Sequence, residues 1–284
     1  MDFCCTEWHR GRRQLASVGF INLGGSGKWK AGPTNAVKRT WGTAADIDDQ
    51  IYLIGGGTRS VQKFDLRPLQ TNSAVIGSIT NVTPVKVGRT YANVTILADG
   101  SLLYTGGSTT GSPSDIASAE KRPELRDMNT GAWSFMNPEA KPRLYHSTAV
   151  LLVDGRVLSG AGGLDQGDGA TDFPNVQIFS PPYLFRGSRP VIVSAPTAIA
   201  YSKTFPVDVQ GGTIAKVTLV GLSAVTHAFN SGQSLHTLPE VQSGTQIIVT
   251  APSSSARVPP GYYMLFVLND TGVPSIAQVL KLGS

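Results

Sequence analysis

Tyr145 and His146 are neighbours near the start of residues 142–163, PRLYHSTAVLLVDGRVLSGAGG, a segment whose remainder is typical of a β-hairpin. A phenol and an imidazole are both metal ligands and both can carry a proton. Successive residues of a strand point to opposite faces of the sheet, so a regular strand would separate these two side chains. They can share a ligand only if the backbone is irregular at this point. The alternative is that both side chains only pack or hydrogen-bond.

A second hairpin in the chain supports an irregular backbone here. Tyr91 lies eight residues before Asp99, whereas Tyr145 lies nine residues before Asp154. One extra residue in one strand of a pair predicts a β-bulge, and bulges redirect side chains and are frequent near active sites. With a bulge at this position, Tyr145 and His146 would face the same point.

Three repeats surround these hairpins. Pairs of glycines end apolar runs at residues 50–57, 101–108 and 156–163, and their last shared glycines are spaced by 51 and 56 residues. This spacing lies near the kelch period of about 50 residues, which forms one four-stranded propeller blade. Asp-Gly turns precede the second and third pairs, as expected for tight hairpins. The repeats therefore predict about three blades of a β-propeller, with an unrelated β-sandwich as the alternative.

The character of the sequence changes after residue 180. A proline-rich linker covers residues 180–190, and short apolar or alternating strands separated by turn residues follow it. About a hundred residues with this pattern predict an immunoglobulin-like sandwich without paired cysteines. The predicted fold is therefore all-β, with an N-terminal tail or incomplete blade at residues 1–27, kelch-type blades at 28–185 and the sandwich at 186–284.

Composition narrows the class of protein. Charged residues make up 15% of the 284 residues, the formal net charge is +5, and no basic stripe interleaved with aromatic residues indicates nucleic-acid binding. No apolar run is long enough to predict a membrane-spanning helix, and the first residues lack the apolar segment of a secretion signal. The two cysteines, Cys4 and Cys5, are adjacent, so they predict neither a disulfide framework nor a CxxC zinc site.

Two parts of the chain resemble one known family. Residues 143–163 and 175–190 resemble the last propeller blade of the galactose oxidase and glyoxal oxidase family. Residues 216–233 and 258–278 resemble the C-terminal early-set domain of that family. The likeness runs with gaps from about residue 28 to the C-terminus, and thus matches the C-terminal part of such a protein.

The resemblance implies copper chemistry. The family are copper radical oxidases, which oxidise alcohols or aldehydes and reduce oxygen to hydrogen peroxide. It implies that Tyr145, His146 and His227 bind one Cu²⁺ per chain, and that Tyr145 takes the proton of the substrate hydroxyl. Two imidazoles and a phenolate oxygen suit Cu(II). It further implies a small alcohol, aldehyde or carbohydrate substrate and an extracellular location. Taken one at a time, His146 and His227 are more often structural residues than ligands, and Tyr145 could be a packing residue. Taken together, inside matching motifs of two domains, they favour the ligand interpretation.

The chain departs from the family in one respect. Those oxidases carry a radical on a tyrosine joined through a thioether to a cysteine, and no residue pair here matches it. Tyr91 matches the penultimate blade and is expected to pack on its inner strand, while Cys4 and Cys5 lie in a tail without the matching surroundings.

Three hypotheses follow. The chain is a truncated oxidase that retains three copper ligands, or a non-catalytic module that binds carbohydrate or protein, or an oxidase completed by another chain. Open blade edges would favour such oligomers.

Overall fold

The computed structural model describes residues 17–21, 29–68, 77–163 and 172–283. Cys4, Cys5 and most of the predicted N-terminal tail lie outside the described residues. The described part is nearly all-β and contains two short 3₁₀ helices, Ile116–Ser118 and Pro182–Phe185. None of its helices has the length and apolar character that crossing a membrane requires. The predicted all-β fold class is confirmed.

Strands follow one another along the whole described chain. The first thirteen are β1 Ser17–Ile21, β2 Trp29–Thr34, β3 Gly42–Ile47, β4 Gln50–Gly55, β5 Val61–Asp65, β6 Ile79–Val82, β7 Asn93–Ile96, β8 Leu102–Thr105, β9 Glu124–Arg126, β10 Trp133–Phe135, β11 Ser147–Leu151, β12 Val157–Ala161 and β13 Val176–Phe179. The others are β14 Val191–Ser194, β15 Ala198–Ile199, β16 Thr204–Gln210, β17 Ile214–Gly221, β18 Val225–Thr226, β19 Phe229–Asn230, β20 Ser234–Leu238, β21 Glu240–Ser243, β22 Gln246–Thr250, β23 Gly261–Asn269 and β24 Gln278–Leu282.

Three antiparallel meanders follow a separate β1–β2 hairpin. We name them blade 1 (β3–β6), blade 2 (β7–β10) and blade 3 (β11–β13) after the predicted repeats, because the strands of each pair in chain order. Their first strands lie side by side, with β7 between β3 and β11. The Asn93 side-chain amide donates to the Ser147 hydroxyl at 3.0 Å, which ties β7 to β11. Each first strand runs from the site described below to a tight turn at its far end.

The C-terminal strands form a sandwich that is joined to blade 1. One sheet has the order β14-β16-β22-β21, and it faces a sheet of β15, β24, β23, β17 and β20. Strand β20 also pairs in parallel with β3, with Ser234 opposite Asp46 and Leu235 opposite Ile47. Blade 1 and the five-stranded sheet of the sandwich thus form one nine-stranded sheet, a connection that the sequence pattern did not predict.

Strand β23 explains why this joint is rigid. Almost all of its residues are buried, without the alternation of a half-exposed strand. Met264, Phe266 and Leu268 belong to the core shared with the blades, while Leu265 and Val267 belong to the core of the sandwich. Because successive side chains point to opposite faces, the middle sheet is covered on both sides. The blades therefore pack on one face of this sheet, and the second sheet of the sandwich packs on the other.

A buried acid at the β3–β20 junction gives a testable pH dependence. Burial, with the neighbouring carboxylates of Asp49 and Asp48, raises the pKa of Asp46 to about 7. A carboxyl whose pKa is raised by folding contributes stability at low pH, and this contribution is lost as pH rises from about 4 to about 7. We therefore expect Asp46→Asn to be more stable than the parent at pH 8, on the order of 2 kcal/mol after discounting for the partial exposure of Asp46.

Denaturant unfolding at pH 4.5 and pH 8 measures this difference. The two proteins should have nearly the same free energy of unfolding at pH 4.5. Asp270→Asn, at an exposed turn, is the matched control and should change neither value. A variant at Asp46 that is less stable than the parent at pH 8 would contradict the expected sign.

Candidate metal site

Tyr145 and His146 are the two central residues of a β-turn. The Ser147 N–H donates to the Leu144 carbonyl at 3.0 Å, and His146 has a φ of +63°. A positive φ at the third residue is what a type II turn requires. The turn brings the two adjacent rings together, with their centroids 3.9 Å apart. The backbone is therefore irregular at this point, as the sequence predicted.

The predicted β-bulge is wrong, however. Strands β11 and β12 pair without a register shift from Ser147–Ala161 to Leu151–Val157. The structural counterpart of His146 in blade 2 is Tyr91, because each has a positive φ, of 63° and 55°, and each lies just ahead of its inner strand. Both residues stand nine positions before the glycine of their turn, so the two hairpins are equal in length.

The extra residue of blade 3 instead lies on the N-terminal side of His146. Arg89 precedes Tyr91 by two positions, whereas Arg143 precedes His146 by three. Nη1 of Arg89 donates to the Gly106 carbonyl at 3.1 Å, and Nη1 of Arg143 donates to the equivalent Ala161 carbonyl at 2.8 Å. The two arginines are therefore equivalent, and the additional residue in blade 3 allows both Tyr145 and His146 to reach the site.

His227 comes from the sandwich half of the chain, on a tight hairpin. Strands β18 and β19 pair Thr226 with Phe229, and His227 and Ala228 between them have φ values of 54° and 60°. Two successive residues with positive φ define a type I′ turn, the favoured two-residue hairpin. The Thr226 hydroxyl lies 2.6 Å from Nδ1 of His227. Such a bond fixes the ring and makes Nε2 the nitrogen that a metal would bind.

Gln233 holds the segment after this hairpin against the blades. Its side-chain Nε2 donates to the Val94 carbonyl at 2.7 Å, and its Oε1 accepts from the Ile96 N–H at 3.0 Å. The side chain is 8% exposed, so both bonds are shielded from water. The amide therefore acts as a further partner of strand β7. It fixes the position of the hairpin that carries His227.

The three predicted ligands converge. The ring centroids of His146 and His227 are 4.9 Å apart, and those of Tyr145 and His227 are 5.5 Å apart. Two imidazoles that share a metal at about 2 Å from each nitrogen have centroids no more than about 6 Å apart. Both histidines are exposed, and Tyr145 is half-buried. The distances and the donor types therefore fit one metal ion.

The group of three candidate metal ligands includes a tyrosine, Tyr145, beside its two histidines. Among the described residues, no group of three or more His, Cys, Asp or Glu could hold a metal ion. A search of the sequence for histidine and acidic clusters alone would therefore miss this site. His236, the remaining described histidine, is buried on β20, and burial lowers its pKa.

Two further aromatic residues border the site. The ring of Tyr91 lies 5.2 Å from that of Tyr145, and the ring of Trp41 lies 5.8 Å from it, between ring centroids. Trp41 also has a positive φ, 56°, and precedes β3 as Tyr91 and His146 precede β7 and β11. From the sequence, Tyr91 was expected to pack on its strand, and Trp41 was not predicted to lie at the site. Aligning the three repeats on the arginine of each blade would have identified both.

Tyr91 is a buried neighbour of Tyr145 and packs against its ring. It is 8% exposed. Burial, with the nearby Tyr145, raises the pKa of its hydroxyl.

Comparison with known proteins agrees with this geometry. Residues 189–282 match the family model described as the galactose oxidase-like early set domain. A galactose oxidase of Gibberella zeae is 35% identical over 202 residues, which are 68% of this chain and 29% of that protein. The aldehyde oxidase GLOX of Vitis pseudoreticulata is 34% identical over 224 residues, covering 69% of this chain and 41% of that protein.

A solved structure extends the likeness to nearly the whole chain. It is described as a novel fungal alcohol oxidase with catalytic diversity among the AA5 family, in complex with copper. The structures agree with a TM-score of 0.87 at 26% sequence identity, over 95% of this chain and 60% of that one. The chain thus spans between about a third and three fifths of the length of these proteins. Over most of its length this protein is therefore similar to part of a galactose oxidase- or glyoxal oxidase-like protein, and residues 189–282 are a galactose oxidase-like early set domain.

Proposed function

We propose that Tyr145, His146 and His227 bind one Cu²⁺ and form the copper half of a copper radical oxidase site. The complete site would oxidise an alcohol or aldehyde with oxygen and release hydrogen peroxide. The observation that carries the proposal is the meeting of two turns, Leu144–Ser147 and Thr226–Phe229, from two different parts of the fold. Both turns use positive φ at a histidine, and both histidines lie at the same point.

The residues around the site have distinct roles in this proposal. A bound copper ion would polarise a coordinated hydroxyl and accept one electron. Tyr145 lies beside both histidines and is the group that would take the hydroxyl proton as a general base. Thr226 orients the His227 ring. Trp41 and Tyr91 pack their rings against Tyr145 and would hold it in place beside the metal.

The chain would bind copper without turning over. Alcohol oxidation removes two electrons, and a single copper ion accepts one. The sequence contains two cysteines, Cys4 and Cys5, and neither stands in a motif matching the cysteine-linked tyrosine that would accept the other. We propose that this chain retains the ligands and lacks the radical pair. We also propose that it acts outside the cell on a small alcohol, aldehyde or carbohydrate when the site is complete.

Copper binding is the first test. We expect the 284-residue chain to bind one Cu²⁺, measured by titration calorimetry and metal analysis after gel filtration. His146→Ala and His227→Ala should each weaken binding at least about tenfold, because each removes one of two imidazoles, which Cu(II) prefers to oxygen ligands. His236→Gln removes a histidine outside the site and should leave the affinity unchanged. Equal affinity in all four proteins would refute the ligand assignment and favour a non-catalytic binding module.

Turnover is the second test. The copper-loaded chain, treated with a mild oxidant and supplied with galactose, glyoxal or a simple primary alcohol, should form no peroxide. A peroxidase-coupled assay detects peroxide, and an intact oxidase of the family serves as the positive control. Sustained peroxide that disappears in Tyr145→Phe would show that this chain completes the radical site by itself.

The role of Gln233 is the third test. Gln233→Met keeps the length of the side chain but leaves the buried Val94 carbonyl and Ile96 N–H without their partner. Each unpaired buried group costs about 1–3 kcal/mol, so the free energy of unfolding should fall by on the order of 2–4 kcal/mol. Copper affinity should also fall several-fold, although no ligand is changed. Gln242→Met, an amide on the sandwich away from the site, is the control and should leave copper affinity intact.

A further inference from the structure

A second cleft lies at the far end of the inner strands from the proposed copper site. It has a volume of about 620 Å³ and opens between blades 1 and 2. Its wall includes Asp48, Asp99 and Gly100, which belong to the turns where β3 and β7 end. The copper ligands lie at the opposite ends of these strands, roughly 15–20 Å away for strands of this length. The two sites are therefore separate.

Arg126 is the unusual residue of this cleft. It is 6% exposed and its guanidinium lies over the ring of Tyr52, 5.1 Å from the centroid. Within the described part of the chain it makes no ion pair, its Nε has no hydrogen-bond partner, and the one acceptor of its Nη1 is the sulfur of Met128 at 3.0 Å. Burial lowers its pKa. A buried guanidinium without an oxygen acceptor is costly, since buried charges are normally paired.

Arg89 and Arg143, the buried arginines of blades 2 and 3, have the oxygen acceptors that Arg126 lacks. Arg89, equally buried, donates to the Glu124 carboxylate at 2.6 Å and to a backbone carbonyl. Arg143 donates to the Ala161 carbonyl and to the Asn175 side chain. The Nε of all three arginines lacks a hydrogen-bond partner, but the Nη atoms of Arg89 and Arg143 donate to oxygen acceptors, whereas the acceptor of the Arg126 Nη1 is a thioether.

Counted together with Arg126, the charged residues that line the cleft are three cations and two carboxylates, an excess of one positive charge. Lys63 and Lys216 also line it, against the carboxylates of Asp48 and Asp99. Both carboxylates are engaged by neighbours: that of Asp48 accepts from the backbone and hydroxyl of Thr237, and that of Asp99 from Ser101. Neither is therefore a partner for Arg126.

The rest of the lining indicates the size and kind of ligand. Gln50, Thr83, Asn129 and Thr130 contribute side-chain amides and hydroxyls, the groups that hydrogen-bond to the hydroxyls of a ligand. The volume is far larger than a single inorganic anion needs. A planar carboxylate matches the forked donors of a guanidinium better than a single point charge does.

We propose that this cleft binds a polyhydroxylated organic acid of about monosaccharide size, with its carboxylate on Arg126. Lys216 and Lys63 would add to the attraction, and the polar lining would receive the hydroxyl groups. The cleft is thus a second binding site, independent of copper and of the proposed oxidase function.

Titration of the full chain with D-glucuronate, D-glucose and sodium sulfate at matched ionic strength tests this proposal. We expect saturable binding of glucuronate, at least about tenfold weaker binding of glucose, and loss of glucuronate binding by at least about tenfold in Arg126→Met. Arg122→Met is the matched control, because it removes an exposed arginine paired with Glu120 and should leave binding unchanged. Without ligand, Arg126→Met should melt at the same temperature as the parent or higher, since it removes an unpaired buried charge.

Several outcomes would overturn the proposal. They are equal binding of glucose and glucuronate, saturable binding of sulfate alone, absence of any binding, or a lower melting temperature in Arg126→Met with unchanged glucuronate binding. If Arg126→Met does not fold, Lys216→Gln takes its place and should weaken glucuronate binding several-fold. Unchanged glucuronate binding in Lys216→Gln would contradict the proposed site.

Discussion

An arginine repeated once per blade, half-buried in blade 1 and buried in blades 2 and 3, holds the site-bearing end of the blades together. Arg39, Arg89 and Arg143 each donate to the carbonyl at the end of the second strand of their own blade, at 2.7, 3.1 and 2.8 Å. The Gly107 N–H in turn donates to the Arg143 carbonyl of the next blade at 2.7 Å. A Cβ on Gly106 would lie 2.5 Å from that carbonyl oxygen, so the close approach requires glycine. The paired glycines are thus needed because the arginine backbone packs on them.

This arrangement places the next residues of each blade in left-handed conformations at the site. Trp41, Tyr91 and His146 all have φ between 55° and 63°, which costs energy for residues with a Cβ. Strained backbone of this kind persists where the surrounding structure fixes it, and it is concentrated at functional sites. Blade 3 adds one residue between its arginine and its left-handed position. Blades 1 and 2 have a single aromatic residue at this position, Trp41 or Tyr91. With the added residue, blade 3 has the adjacent Tyr145 and His146 there.

The joint between the blades and the sandwich also determines the geometry of the site. His227 could not be held against Tyr145 if the two parts moved independently. The β3–β20 pairing, the apolar core on both faces of β23 and the amide of Gln233 make them one body. The His227 hairpin therefore meets the blades in a fixed position, beside Tyr145 and His146.

Much of this could be predicted from the sequence, and the failures have physical causes. Period-two patterns, Asp-Gly turns and paired glycines are local signals, so the all-β fold and the hairpins were predictable. The bulge was a wrong inference because counting from Tyr91 to its turn assumed that Tyr91 and Tyr145 are equivalent. The positions of Arg89 and Arg143 show instead that Tyr91 is equivalent to His146. Trp41 and the β3–β20 pairing depend on contacts between distant segments, which no local pattern reveals. Arg126 was not noticed, since its missing acceptor is visible only once its neighbours are placed.

The central claim is that imidazoles from two parts of the fold bind one copper ion. Electron paramagnetic resonance of the chain loaded with one equivalent of Cu²⁺ tests it most directly, because the nitrogen couplings count the imidazoles at the metal. We expect two coordinated imidazoles in the parent and one in either His146→Ala or His227→Ala. A spectrum with no imidazole coupling, or one that neither substitution changes, would contradict it.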